Sequence, residues 1–174
     1  MSHVPATAVE IANEFISLSL REKTLAPILD RLKLQALLYY AAGWYLTWKD
    51  HPLFEENILA RPWGPVVTNV YLQTVDHVDH PIVRKLHHFV AKDDECGIVV
   101  DWVTPHGAPE EVKKIILKVW DSHKEFTGIQ LMNSTHAEGE PWHIISQHFN
   151  VEESPSIPTY LIRDVFRKKI KKDG

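Results

Sequence analysis

The chain has 174 residues, 44% of them hydrophobic and 24% charged, with six Trp, six Phe and five Tyr. That suffices for one domain with its own core, and it excludes disorder over most of the length and any need for disulfide or metal staples. The net charge of −4 is uneven, six basic residues standing against Asp164 alone between Arg163 and Lys172 while the remainder has 13 basic and 22 acidic side chains. Non-specific nucleic-acid binding is therefore not expected as the main activity, because phosphate neutralisation supplies most of that affinity.

Met1-Ser2-His3-Val4-Pro5 has no basic region followed by an apolar run, so no secretory signal is expected. Thr7 and Glu10 form a capping-box pair that opens a first helix, with Val9, Ala12, Phe15 and Ile16 on its apolar face. Pro27 interrupts the chain, and Asp30 is placed as an N-cap. From Arg31 to Lys49, Leu34, Leu37, Leu38, Ala41, Ala42 and Tyr45 recur at helical spacing, and Tyr39, Tyr40, Trp44 and Leu46 widen the stripe nearly all round. A helix apolar on every side is buried among others, so this is the central core helix. Gly43 in its middle costs about 1 kcal/mol relative to Ala and predicts a close approach by a neighbouring element.

Phe54 to Ala60 reads as a short strand or an extended segment, and the β-branched Ile98 to Val103 is suited to pair with it as a strand, giving at most a small sheet. Arg61-Pro62-Trp63-Gly64-Pro65 reads as irregular, since two prolines and a glycine deny both helix and ladder hydrogen bonds. Pro65 is expected to start a helix through Val66, Val67, Val70 and Tyr71, and Pro81 another, with Ile82, Val83, Leu86 and Phe89 inward. Lys92 to Glu95 reads as a charged turn. Further helices are predicted over Pro109–His123, from the Thr127/Gln130 cap through Leu131 and Met132, from Pro141-Trp142, and from Pro158 through Tyr160, Leu161, Val165 and Phe166. The expected fold is mainly α: a compact multi-helix single domain around a central buried helix, spanning 1–174, with at most a small β element and a basic C-terminal tail at 167–174.

Eleven histidines raise the question of a metal. Asp76-His77-Val78-Asp79-His80 holds four candidate ligands, but nothing has a recognised spacing such as His-Glu-x-x-His, and no metal or other cofactor is expected. Cys96 is the only cysteine, which rules out an intramolecular disulfide and favours a reducing cytoplasm. Its acidic neighbours would raise a thiol pKa rather than lower it. There is no Gly-x-Ser-x-Gly, no Walker loop and no other catalytic constellation. The longest apolar run, Leu37 to Leu46, is about half a membrane span. One mixed cluster, Ser134 to Trp142, places His136 near Glu138 and Glu140, a pattern in which His acts as general base oriented by a carboxylate. The competing reading has His136 and Thr135 satisfying a helix end while Trp142 fills the core.

Three ordered blocks resemble the Panacea domain, the antitoxin domain also called SocA-like or GepA-like. They are Leu32-Lys33-Leu34-Gln35-Ala36-Leu37-Leu38-Tyr39-Tyr40-Ala41-Ala42-Gly43-Trp44; Phe54 through Arg61-Pro62-Trp63-Gly64-Pro65-Val66-Val67 to Tyr71; and Leu131 through Ser134-Thr135-His136 to Pro141-Trp142. The resemblance spans about Ala8 to Phe166. The family usually has Lys where this chain has Ala36, which bears on any polar contact, or part of a partner surface, supported from that position.

The resemblance implies a phage-associated antitoxin that binds and neutralises a cognate toxin protein encoded beside it, rather than an enzyme. Some relatives act as proteolytic adaptors that hand the toxin to a Clp-type protease. Arg61, Trp63, Tyr71, His136 and Trp142 are the expected partner-binding residues, Arg and Trp being the types that most often anchor interfaces. The alternative is a hydrolase using His136 with Glu138 or Glu140, or a histidine-bound metal.

Overall fold

Short-range caps set where the helices begin. In the computed structural model, which describes residues 5–22, 26–95 and 97–172, the Thr7 hydroxyl accepts from the Glu10 amide at 3.2 Å and the Glu10 carboxylate accepts from the Thr7 amide at 2.8 Å, opening α1 (Ala8–Arg21). The Asp30 carboxylate accepts from the Lys33 amide at 2.7 Å and opens α2 (Arg31–Lys49). Thr127 and Gln130 repeat the reciprocal box ahead of α5 (Gly128–Thr135). The remaining elements outside the strands are α3 (Thr68–Leu72), α4 (Glu110–His123), α6 (Pro141–His148), a 3-10 turn at Val151–Glu153 and α7 (Thr159–Lys172).

The fold is mainly α, with its core gathered on α2. Leu34, Leu37, Leu38, Tyr39, Ala41 and Tyr45 are buried there, and α1, α4, α5 and α7 pack round them. Gly43 lies under the ring of Phe166 from α7, and that ring meets Tyr39 and Trp44 edge-on at 5.5 and 4.9 Å. Ala36 is fully buried, so its position belongs to the core and not to a partner surface. The buried ammonium of Lys33 donates to the carbonyls of Pro27 and Lys124, tying the C-terminal end of α4 to α2. Basic residues 167–172 continue α7 as helix.

The β structure is two separate antiparallel hairpins, and here the strand pairing differs from expectation. β1 (Ile58–Arg61) pairs with β2 (Gly64–Val67), not with the segment at 98–103, which lies in β4 (Gly97–Val103) and pairs with β3 (His88–Asp94). Lys92 to Asp94 are thus strand residues, and the turn follows them. Arg61 to Pro65 is not irregular but a hairpin with Pro62-Trp63 as its two-residue turn. The prolines are tolerated because Pro65 faces Ala60, whose amide points outward to the Pro155 carbonyl at 2.7 Å. That makes Ala60–Pro65 a non-hydrogen-bonded pair, where a missing N–H removes nothing from the ladder. Pro65 therefore starts no helix; α3 begins at Thr68.

Residues 81–87 are not helical either, and Val83 and Phe89 are exposed rather than inward. Two amide side chains hold this stretch extended. Asn13 accepts from the Leu86 amide at 2.7 Å and donates to its carbonyl at 2.9 Å; Gln73 does the same for His87 at 2.9 and 3.0 Å. A backbone so partnered has no use for helical bonds. Met1–Val4, on which the expectation of no secretory signal rests, Cys96, and residues 173 and 174 at the end of the basic tail lie outside the described residues.

Candidate partner-binding site

The β1–β2 turn is fixed from two sides. Gln35 on α2 accepts from the Val67 amide at 2.8 Å and donates to its carbonyl at 3.3 Å, so a buried side chain stands in for an adjacent strand. Trp142 at the start of α6 donates its indole N–H to the Arg61 carbonyl at 2.8 Å. Gly64 closes the turn with φ of 129°, a conformation that L side chains rarely adopt. A Cβ there would lie 2.6 Å from the Met132 sulfur and 3.3 Å from the Thr135 hydroxyl. The turn thus rests on the C-terminal end of α5.

His136 caps α5 and stacks on Trp142, ring centroids 3.8 Å apart. Its Nε2 is buried without a partner, and desolvation lowers its pKa, favouring the neutral ring. Thr135 donates to the Met132 carbonyl at 2.7 Å, and Trp142 packs against the core. Of the helix-end reading, the geometry matches the Thr135 bond and the packing of Trp142 against the core, while the Nε2 of His136 bonds nothing among the described residues. Glu140 is occupied by Lys169 at 2.7 Å and by the Tyr39 hydroxyl at 3.4 Å, and neither it nor Glu138 pairs with His136. Among the described residues no three His, Cys, Asp or Glu side chains gather as a metal site.

On the other side of the turn, Trp63 is 42% exposed and stacks on Tyr71 of α3 at 6.5 Å. The Arg61 guanidinium lies 5.1 Å from the Tyr71 ring centroid. Arg61, Trp63 and Tyr71 thus meet on one side of the hairpin, while His136 and Trp142 hold its other side, so all five expected residues are brought to one turn.

Sequence reasoning missed Arg31. As the first residue of α2 it lies 5.0 Å from the same Tyr71 ring, and its Nη1 donates to the Val75 carbonyl at 2.9 Å. The available signal was a cation at a helix N-terminus, where the macrodipole disfavours it. Pockets of about 400 and 520 Å³ lie elsewhere, and none of the five expected residues lines either.

The family described as antitoxin SocA-like, Panacea domain, matches residues 34–143. The matched span takes in the hairpin, Tyr71, His136 and Trp142, and leaves Arg31 just outside. No curated protein and no solved structure matches the chain. Among the described residues no helix is long and apolar enough to cross a membrane.

Proposed function

From the premise that the chain belongs to the SocA-like Panacea antitoxin family, we propose that it neutralises a cognate toxin protein by binding it directly, without catalysis, through Arg61, Trp63, Tyr71, His136 and Trp142. The observation that supports this most is the meeting of those five residues at one braced hairpin turn. Arg, Trp and Tyr concentrate contact area and donors at few points, and they dominate measured interface energies. A turn already locked by Gln35 and Trp142 loses little freedom on binding, which favours affinity. The single cysteine of the sequence suits a reducing cytoplasm, where such a toxin would be met.

Co-expression with the product of the adjoining gene tests the reading. The wild-type chain is expected to restore growth, and Arg61→Ala to weaken the purified complex by about tenfold or more, the scale of an interface anchor. The melting temperature of the free protein should hardly move, because the Arg61 side chain has no hydrogen bond to lose among the described residues. Unchanged affinity of Arg61→Ala would remove the hairpin from the interface. Rescue that persists in cells lacking Clp proteases supports sequestration; rescue that vanishes there, with toxin levels rising, assigns the chain an adaptor role instead.

A further inference from the structure

Arg31 and Arg61 come from elements 30 residues apart in sequence, yet their guanidinium carbons lie 5.0 and 5.1 Å from the centroid of one ring, Tyr71. Cation–π attraction of this kind holds a planar guanidinium in place without using its N–H donors. Neither group has a carboxylate within 4 Å among the described residues, whereas Arg163 and Arg167 share Asp50. The Nε of each is buried with no acceptor, and these are two of the five such orphaned side-chain atoms among the described residues. A buried Nε is out of a partner's reach, so an acceptor from outside would be met by the Nη groups, of which none in Arg61 and only Nη1 in Arg31 has an acceptor among the described residues.

We infer that Arg31 and Arg61, held against Tyr71, form a basic clamp whose two forks each take an acidic side chain of a protein partner, so that the toxin meets this face with Asp or Glu. The inference rests on the reading of the hairpin face as the toxin-binding one, and it adds both a residue and the chemistry of the partner. A carboxylate offers two oxygens to a guanidinium fork, and charge-assisted bonds of that geometry are the stronger and more directional ones. Nearby charge selects a side chain over a polymer of phosphates. Asp30 precedes Arg31, Asp76 follows the carbonyl to which Arg31 donates, and Asp79 is close enough to act on Asp30. A nucleic-acid strand, with its many charges, would run against these carboxylates, whereas a single Asp or Glu at one fork meets fewer of them. Exposed Trp63, stacked on Tyr71, supplies apolar cover beside the clamp.

The test follows the arginine Nε–Hε signals of the whole isotope-labelled protein by NMR during titration with a blocked tetraglutamate peptide. Blocked tetraglutamine, inorganic phosphate and a single-stranded oligonucleotide serve as comparisons. The signals of Arg31 and Arg61 are expected to move saturably with tetraglutamate alone, and Arg31→Gln or Arg61→Gln to weaken that binding by about tenfold. A thermal melt of each variant shows that it folds. Unmoved signals overturn the clamp, as does an equal or tighter response to phosphate or oligonucleotide, which would assign the face to phosphate groups. Growth rescue separates the two readings. If Arg31→Gln loses the peptide but rescues as the wild type does, the clamp is not a toxin contact and direct neutralisation stands. If the wild type binds the peptide and fails to rescue, the antitoxin reading falls and the carboxylate site remains.

Discussion

A methyl group at Gly43 would run into the ring of Phe166, which is itself fully buried and held by Tyr39, Tyr40 and Trp44. Replacing a mid-helix glycine with alanine ordinarily gains about 1 kcal/mol from propensity. Overpacking a closed core costs about 1–3 kcal/mol, and the ring has no open side to retreat to, so the cost decides the sign. Gly43→Ala is expected to lower stability in urea unfolding; a gain would mean that Phe166 moves freely. The close approach was legible from a glycine in an otherwise all-apolar helix. That Phe166 makes it was not, because the two residues are brought together only when α7 folds back onto α2.

At the scale of elements, the same kind of side chain decides three connections. Asn13, Gln73 and Gln35 each bond both backbone groups of one residue on a neighbouring segment, at Leu86, His87 and Val67. Removing Gln35 would strand two polar groups in a buried site, each costing about 1–3 kcal/mol. Gln35→Leu is therefore expected to destabilise the protein by about 2 kcal/mol or more and to speed hydrogen exchange at the Val67 amide ahead of amides within α2. Equal protection of Val67 in both proteins would show that β2 is held by β1 alone. Among the described residues the β3–β4 hairpin has no such brace to α2: Phe89 and Trp102 pack on each other at 4.2 Å and remain 54% and 60% exposed. Trp102→Ser is expected to leave the global melting temperature nearly unchanged while exchange across β3 and β4 becomes faster. A large drop in melting temperature would show that this hairpin belongs to the main cooperative unit. Capping boxes were readable because they span three residues of sequence. The hairpins were misread because pairing is settled by what lies across the strand, and Pro65 looks like a breaker until its facing residue is known.

For the whole molecule, buried titratable groups set how stability follows pH. Burial, with Glu140 nearby, pushes Tyr40 up to about 12 from 10.0, and burial raises Tyr39 as well. The folded state then keeps protons that the unfolded chain has lost, so this contribution is complete below pH 10 and disappears as pH rises through about 12. Lys33 acts in the opposite sense: desolvation lowers its pKa, the unfolded chain binds more protons, and stability gains with pH up to 10.5. His123 and His136, both lowered by burial, oppose protonation, so stability falls as pH drops below 6.5 and through their depressed values. Urea midpoints across pH are expected to fall on both sides, and Tyr40→Phe to flatten the alkaline limb; an unchanged limb would clear Tyr40 of that role. The sequence by itself determined the helical class, the starts of α1, α2 and α5, the central place of α2 and the residue types of the proposed binding face. These rest on periodicity and on contacts within one turn of chain. Tertiary structure decided the strand partners, the extended course of 81–87 and the convergence of Arg31 with Arg61 on Tyr71. Those depend on distant segments competing for the same backbone groups and the same ring, a contest that local pattern does not record.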